Sequence, residues 1–535
     1  MIDKSILRPL TFIVMAGIAV SCTGNYEDYN VNPYEANKKQ MEYDGYMMRS
    51  ALTTLQAWVI PLDVNACQFT DCLLGGSYGG YLSDSNSGFN NKNFGTYAPQ
   101  EGWSKVLFND VIPKIFPALT DLKNATSDSV PLAVGNVIKV MAMQRITDAY
   151  GPIPYSKIGE EGSLTAPYDS QEEIYKQMFA ELDSAIHVMT RHRTEDFTAQ
   201  ADMVYSGKVE KWVRLANSLK LRLAIRISVV APDLAREKGE EAVKHEIGPI
   251  LDNADNAYLT VASSNPFRVV CYEYNGGDSR VSADITSFMN GYKDPRREKF
   301  FTPSTFTEAE LDGRAENGYH GLRSGIYMPA ADMLKHYANI NVSTNSPILW
   351  MNASEVAFIC AEGVMRGWHI NMTGEKGNRP DERFYRRGIR LSFEKWGVGG
   401  ADAYMENRTF RNEPYKDPMG LADYSRTIST AAIQWLDTDW FSMGNLERLI
   451  TQKWIANFPM GLEAWAEYRR TGYPRLMPAS INNSGGTVDP EKMARRLTYP
   501  QTEYTENNEN LSKAIANHLG GPDTMGTDVW WAKKK

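Results

Sequence analysis

The 535-residue chain carries 57 Lys and Arg against 65 Asp and Glu, a formal charge of −8, with 42% hydrophobic residues. An acidic surface repels phosphate backbones, so nucleic acid is excluded as a partner. The apolar content is ample for a large buried core and excludes disorder as the default state.

Residues 1–22, MIDKSILRPLTFIVMAGIAVSC, start with Lys4 and Arg8, continue through an apolar run over residues 10–20 and close on Cys22. The run is too short for a permanent membrane-spanning helix and has the basic, apolar, small-residue order of a secretory signal. With its closing cysteine the segment resembles a bacterial lipoprotein signal, which implies lipidation of Cys22 and removal of residues 1–21. Two or three acyl chains, at about 0.8 kcal/mol per buried methylene, make a durable membrane anchor where one is marginal. Loss of residues 1–21, which carry Lys4, Arg8 and Asp3, moves the formal charge from −8 to −9. No second apolar stretch of about 18 residues follows.

Residues 22–34 are polar and turn-rich and read as a tether; residues 35–535 read as a single body. In residues 35–59, Met41, Met48, Leu52, Leu55 and Val59 fall at helical spacing. Ser170 and Glu173 have capping-box spacing, followed by the stripe Ile174, Met178, Leu182, Ala185, Ile186 and Met189. Residues 208–230 repeat the pattern with Trp212, Leu215, Leu219, Leu223 and Ile227, and Pro232 ends that run. Asn352 to Glu355 reads as a cap for a helix whose core face is Val356, Ala357, Cys360, Val364 and Met365. Residues 382–396 and 445–454 are further helical candidates. Between them lie long stretches rich in Gly, Asn, Ser and aromatics, at 75–103, 263–280 and 302–346, and loops of that length are usually functional or disordered. Their aromatic content argues for function.

The cysteines beyond Cys22, at 67, 72, 271 and 360, form no CxxC motif and have no histidine pair at zinc spacing nearby, and His187 and His192, five apart, fall on different sides of a helix, so no metal or cofactor is expected. Cys67 and Cys72 are spaced to close a small loop, but burial as small apolar residues is equally consistent. Neither HExxH nor a phosphate-binding GxxxxGK[ST] run is present, and no carboxylate lies in a recognisable catalytic context. The reading is non-catalytic; a surface glycoside hydrolase, or a helical scaffold that binds only protein, are the less favoured alternatives.

Several blocks together resemble the SusD/RagB family of outer-membrane nutrient-binding lipoproteins, in its SusD-like branch. They are DYNVNP at 28–33, RITDAYGPIPY at 145–155, KWVRLANSLKLR at 211–222, DPRR at 294–297 and SEVAFICAEGVMRG at 354–367. Towards the end come TQKWIA at 451–456, EAW at 463–465, YRRTGYP at 468–474, RLTYP at 496–500, and tail runs at 507–510 and 527–531. The resemblance implies a mostly α fold, a tetratricopeptide-like helix-pair scaffold whose long irregular loops carry the ligand surface. It also implies a partner, a SusC-like TonB-dependent outer-membrane barrel over which the protein sits as a lid, with Glu27 and Asp28 resembling an outer-leaflet sorting signal. The ligand is expected to be an oligosaccharide or, in the alternative, a peptide.

Aromatic rings cover the apolar faces of sugars while neighbouring polar groups satisfy the hydroxyls. Tyr78, Tyr81, Phe89, Phe94, Tyr97 and Trp103 lie among glycines without helical or alternating spacing, which predicts exposed rings. The resemblance points to an early and a mid-chain loop, here Tyr78, Tyr81, Phe94 and Trp103, with Tyr272, Tyr274, Asn275, Asp278 and Arg280. Trp435 and Trp440 are secondary candidates. Trp454, Trp465, Arg469 and Arg470 have the spacing of packed helices and are expected to be structural.

Overall fold

The computed structural model describes residues 45–159, 165–437 and 443–533. Cys22, the tether, Met41 and Trp440 lie outside the described residues.

Helices pair in succession. α1 (Tyr46–Ala57) packs on α2 (Ile112–Ala125), and α3 (Ser129–Tyr150) packs on α4 (Gln171–Arg191). α5 (Val209–Arg226) packs on α6 (Pro232–Lys244), and α7 (Ala353–Met365) on α8 (Pro380–Lys395). Contacts of α4 with α5, of α9 (Met443–Ala456) with α7, and of α10 (Gly461–Thr471) with α3 chain the pairs into a tetratricopeptide-like scaffold.

Local signals in the sequence account for much of this. The Ser170 hydroxyl accepts from the Glu173 amide (3.2 Å) while the Glu173 carboxylate accepts from the Ser170 amide (3.1 Å), closing the capping box of α4. The stripe from Ile174 to Met189 is buried as its spacing predicts. Asn352 Oδ1 accepts from the Glu355 amide (2.9 Å) at the start of α7. Pro232 does more than end a run: α5 stops at Arg226, and Pro232 opens α6, where a missing N–H leaves nothing unsatisfied. Most of α3 escapes a periodicity reading because it is buried on nearly every side, Lys139, Gln144 and Thr147 included, so it has no polar face to set off an apolar one.

A buried charged spine joins α5, α7 and α10. Fully buried Arg226 pairs with Glu463 (2.6 Å) and Glu467 (2.9 Å), Arg222 with Glu355 (2.7 Å), and Arg470 Nη2 with Glu362 (2.6 Å). Burial pushes the Glu463 carboxyl up, but Arg226 and Arg222 outweigh it and hold it below the usual carboxylate range. The Arg469 guanidinium lies 3.6 Å over the Trp465 ring, inside the core, as expected for a structural residue.

Strands are short: β1 (Leu82–Asp84), β2 (Ala257–Leu259), β3 (Ser279–Val281) and β4 (Ile348–Met351). β1 pairs antiparallel with β3, Leu82 opposite Val281 and Asp84 opposite Ser279, and β2 pairs antiparallel with β4. The long insertion between α1 and α2 carries β1 and is pressed against α10. A Cβ on Gly461 would lie 2.2 Å from the Gly75 carbonyl oxygen, so only glycine permits this approach.

Candidate ligand-binding surface

Strand pairing of β1 with β3 brings together the two loops that the sequence nominates. Asp278 ties them: its carboxylate accepts from Gln68 Nε2 (2.7 Å), Asn86 Nδ2 (2.8 Å) and Asn275 Nδ2 (2.9 Å). Burial pushes this carboxyl up, and the three amides and Arg280 oppose it without cancelling it. Ser85 adds a backbone bond to the Asp278 carbonyl (2.9 Å) and a hydroxyl bond to the Gly277 carbonyl (2.9 Å). Arg280 turns inward, donating to the carbonyls of Cys271 (3.0 Å) and Gly276 (3.0 Å). Asp278 and Arg280, both expected to meet ligand, are 1% and 3% exposed and fully engaged in holding the loop's shape.

Four rings predicted to be exposed are core. Tyr78 sits 5.0 Å from Trp465, Tyr81 stacks on Trp454 at 5.5 Å, and Phe94 meets the Tyr78 ring edge-on at 5.8 Å. All are at most 1% exposed, and Tyr97 is buried beside them. The glycines around Tyr78 do not display it; they let the backbone close onto α10, which sends the rings inward. Trp435 is likewise buried, 4.8 Å from Tyr385. Tyr272 is half-buried, with the Arg268 guanidinium 3.9 Å over its ring and its hydroxyl donating to the Ile340 carbonyl (2.7 Å).

What remains at the surface is a smaller, different set. Half-buried Trp103 stacks on Phe69 (5.4 Å, 20° between planes) and meets Phe89 edge-on (4.9 Å). One helical turn before Phe69, exposed Asn65 accepts from the hydroxyl of half-buried Tyr274 (3.2 Å), so the short helix Val64–Cys67 and the π-helical Gln68–Gly75 bridge Trp103 and Tyr274. Exposed Asn275, held in the left-handed region (φ 52°), and half-buried Asn86 add amides. A third loop joins at Phe89: its neighbour Asn90 bonds both the carbonyl and the amide of Met328 (2.8 and 2.9 Å), beside Tyr327, which is 65% exposed. Asn65, Phe69 and Tyr327 escape the sequence reading; the four-residue step from Asn65 to Phe69 was the one available signal for the first two.

This arrangement offers ring faces and amides. The run Gly75-Gly76-Ser77-Tyr78-Gly79 has Gly-x-Ser-x-Gly spelling, but it lies in helical segments rather than at a strand-to-helix turn, and buried Ser77 has no hydrogen-bond partner. Among the described residues no His, Cys, Asp and Glu cluster could hold a metal ion, and Cys67, Cys72, Cys271 and Cys360 are buried with no disulfide. Among them too, no helix is long and apolar enough to cross a membrane.

The sequence model of the SusD-like family, described as Susd and RagB outer membrane lipoprotein, matches residues 28–532. The chain belongs to this family. A SusD homolog from Bacteroides uniformis is 46% identical, superimposes with a TM-score of 0.85 and is covered over its whole length by 91% of this chain. One from Bacteroides ovatus is 39% identical (TM-score 0.85, 92% of this chain and 100% of that one). A chitin-binding SusD homolog from Flavobacterium johnsoniae is 34% identical, with a TM-score of 0.84 over 91% of this chain and 99% of its own. Comparison with curated proteins gives no match. The mostly helical, tetratricopeptide-like architecture expected of a SusD-like protein is the one observed.

Proposed function

We propose that this SusD-like protein is a non-catalytic cell-surface receptor for a nutrient glycan, anchored through Cys22 and acting as the lid of a SusC-like TonB-dependent transporter. The observation that carries the reading is the Trp103, Phe69 and Phe89 cluster with Asn65, Tyr274 and Asn275 around it, where three loops meet on a rigid helical scaffold. Rings take the C–H faces of a sugar, and the amides and the Tyr274 hydroxyl replace the water its hydroxyls give up. The chitin-binding relative supports a glycan as ligand class. Residues 22–34 would tether the body, residues 35–535, with slack for the lid to swing.

An open surface buries little of its ligand, so binding is expected in the micromolar to millimolar range, about −8 to −4 kcal/mol. Weak capture suits a lid that must hand its cargo on, with transporter contacts completing the site on closure. The test is a glycan array with the purified protein carrying Cys22→Ser, followed by titration of each hit against Trp103→Ala. Loss of binding in the variant supports the reading. Turnover of a hit to shorter products, or binding that ignores Trp103, refutes it. Co-purification from mild detergent with a large outer-membrane barrel tests the partnership.

A further inference from the structure

The loop that carries Tyr274 also carries a chemically reactive pair. Asn-Gly occurs three times in the chain, at 275–276, 290–291 and 317–318. The reactivity of such a pair lies in the glycine: with no Cβ in the way, its backbone nitrogen can reach the asparagine side-chain carbonyl carbon. The fold restrains two of the three. Asn290 lies in the helix Ala283–Gly291, with Nδ2 donating to the Tyr319 carbonyl (3.0 Å) and Oδ1 accepting from Arg297 (3.0 Å). Asn317 is clamped at both amide atoms by the backbone of Phe306, at 2.7 and 2.8 Å.

Asn275 is placed differently. It is exposed, stands in the left-handed region (φ 52°, ψ 24°), and is followed by Gly276 and Gly277 at φ 77° and 110°. The Gly276 amide donates to the Glu273 carbonyl at a long 3.3 Å, and Asn275 Nδ2 donates to both oxygens of Asp278 (2.9 and 3.2 Å). The fold cannot replace the glycines, since a Cβ on Gly277 would lie 2.4 Å from the Cys271 carbonyl oxygen and both positions are left-handed. Asparagine is among the few residues that tolerate the left-handed turn before them. The shape of the loop therefore keeps the reactive pair in place.

We propose that Asn275 is a site of spontaneous deamidation, and that its product releases the tie between the two loops of the ligand surface. The Gly276 nitrogen bonds to Asn275 Cγ, the Cγ–Nδ2 bond breaks, and Nδ2 leaves as ammonia with the Gly276 amide proton. Water then opens the cyclic imide, its hydroxyl adding to one of the two carbonyl carbons and its proton returning to nitrogen. The product at position 275 is an aspartate or, with one more carbon in the backbone, an isoaspartate. Either way a carboxylate replaces the amide that donated to Asp278, and two like charges then face each other. Asp278 holds Gln68 and Asn86 of the early insertion (2.7 and 2.8 Å), and its carbonyl accepts from the Ser85 amide (2.9 Å), so repulsion here parts the two loops. That this weakens glycan capture rests on the reading proposed above.

The test is to warm the Cys22→Ser protein at mildly alkaline pH, where hydroxide speeds ring closure, and to follow it by isoelectric focusing and peptide mapping. A more acidic species is expected to accumulate, with aspartate and isoaspartate at position 275 ahead of any change at 290 or 317. Asn275→Asp reproduces the product. In it, the peptide carrying Ser85 should exchange its amide hydrogens severalfold faster than in the parent protein, and a glycan hit from the array should bind severalfold more weakly. Adding Asp278→Asn restores a donor and an acceptor between the two positions and should recover part of both losses. Asn275 still intact after Asn290 or Asn317 has converted, or an Asn275→Asp protein that matches the parent in exchange at Ser85 or in glycan affinity, overturns the proposal. Modification and exchange are read without glycan, so their failure leaves the glycan reading standing; a protein that binds no glycan refutes that reading, and these two measurements still decide the fate of Asn275.

Discussion

Trp103→Ala separates ligand binding from folding because of where the ring stands. Its neighbours are Phe69 at 5.4 Å and Phe89 at 4.9 Å, and the residue is only half-buried. Each aromatic pair contributes about 0.5–1.5 kcal/mol beyond area burial, so losing both lowers stability by about 1–3 kcal/mol, an amount a scaffold of this size tolerates. A central aromatic in a binding surface is typically worth about 2 kcal/mol or more, so glycan affinity should fall about 30-fold. Tyr78→Ala should behave oppositely. It empties a fully buried site between Phe94 and Trp465, costing about 3–5 kcal/mol of stability. Isothermal titration with a hit from the array, alongside scanning calorimetry, reads both quantities on each variant. Trp103→Phe, which preserves a ring on Phe69, should recover part of the affinity. Unchanged glycan affinity in a folded Trp103→Ala protein would falsify the assignment of the surface.

Tyr274→Phe removes one hydroxyl bonded to Asn65, so a stability change under about 1 kcal/mol with a severalfold drop in glycan affinity is expected; an equal affinity takes Tyr274 out of the site. Arg226→Met leaves Asp148, Glu463 and Glu467 facing one another in the core, and should lower unfolding free energy by about 3–5 kcal/mol, read from denaturant midpoints. Asp84 is buried with neither carboxyl oxygen bonded, and burial and Asp278 push it up to about 8. The native state therefore holds a proton that the unfolded chain gives up near pH 4, so stability contributed below pH 4 is lost as pH rises to 8, up to about 5 kcal/mol in all. Lys395, pushed down to about 7, acts with the opposite sign above pH 7. Melting temperatures of wild type and Asp84→Asn between pH 5 and 8 should diverge, the variant gaining as pH rises; parallel curves refute an uncharged Asp84.

Sequence alone determined the elements whose causes are local. The α4 capping box, the Asn352 cap and the buried stripes of α4 and α5 rest on residues three or four apart, within reach of one helical turn. Family blocks spread along the chain carried the fold class. The binding surface was decided elsewhere. Tyr81 stacks on Trp454 and donates to its carbonyl across 373 residues, and Tyr78 packs on Trp465, so whether a ring in a glycine-rich loop faces water depends on helices hundreds of residues away. Local pattern reports how a segment can fold, and only the tertiary packing of α9 and α10 against the inserted loop selects which of its rings stay outside. The same holds for Lys395, an ordinary last-turn cation in sequence, whose amine the fold buries without a hydrogen-bond acceptor.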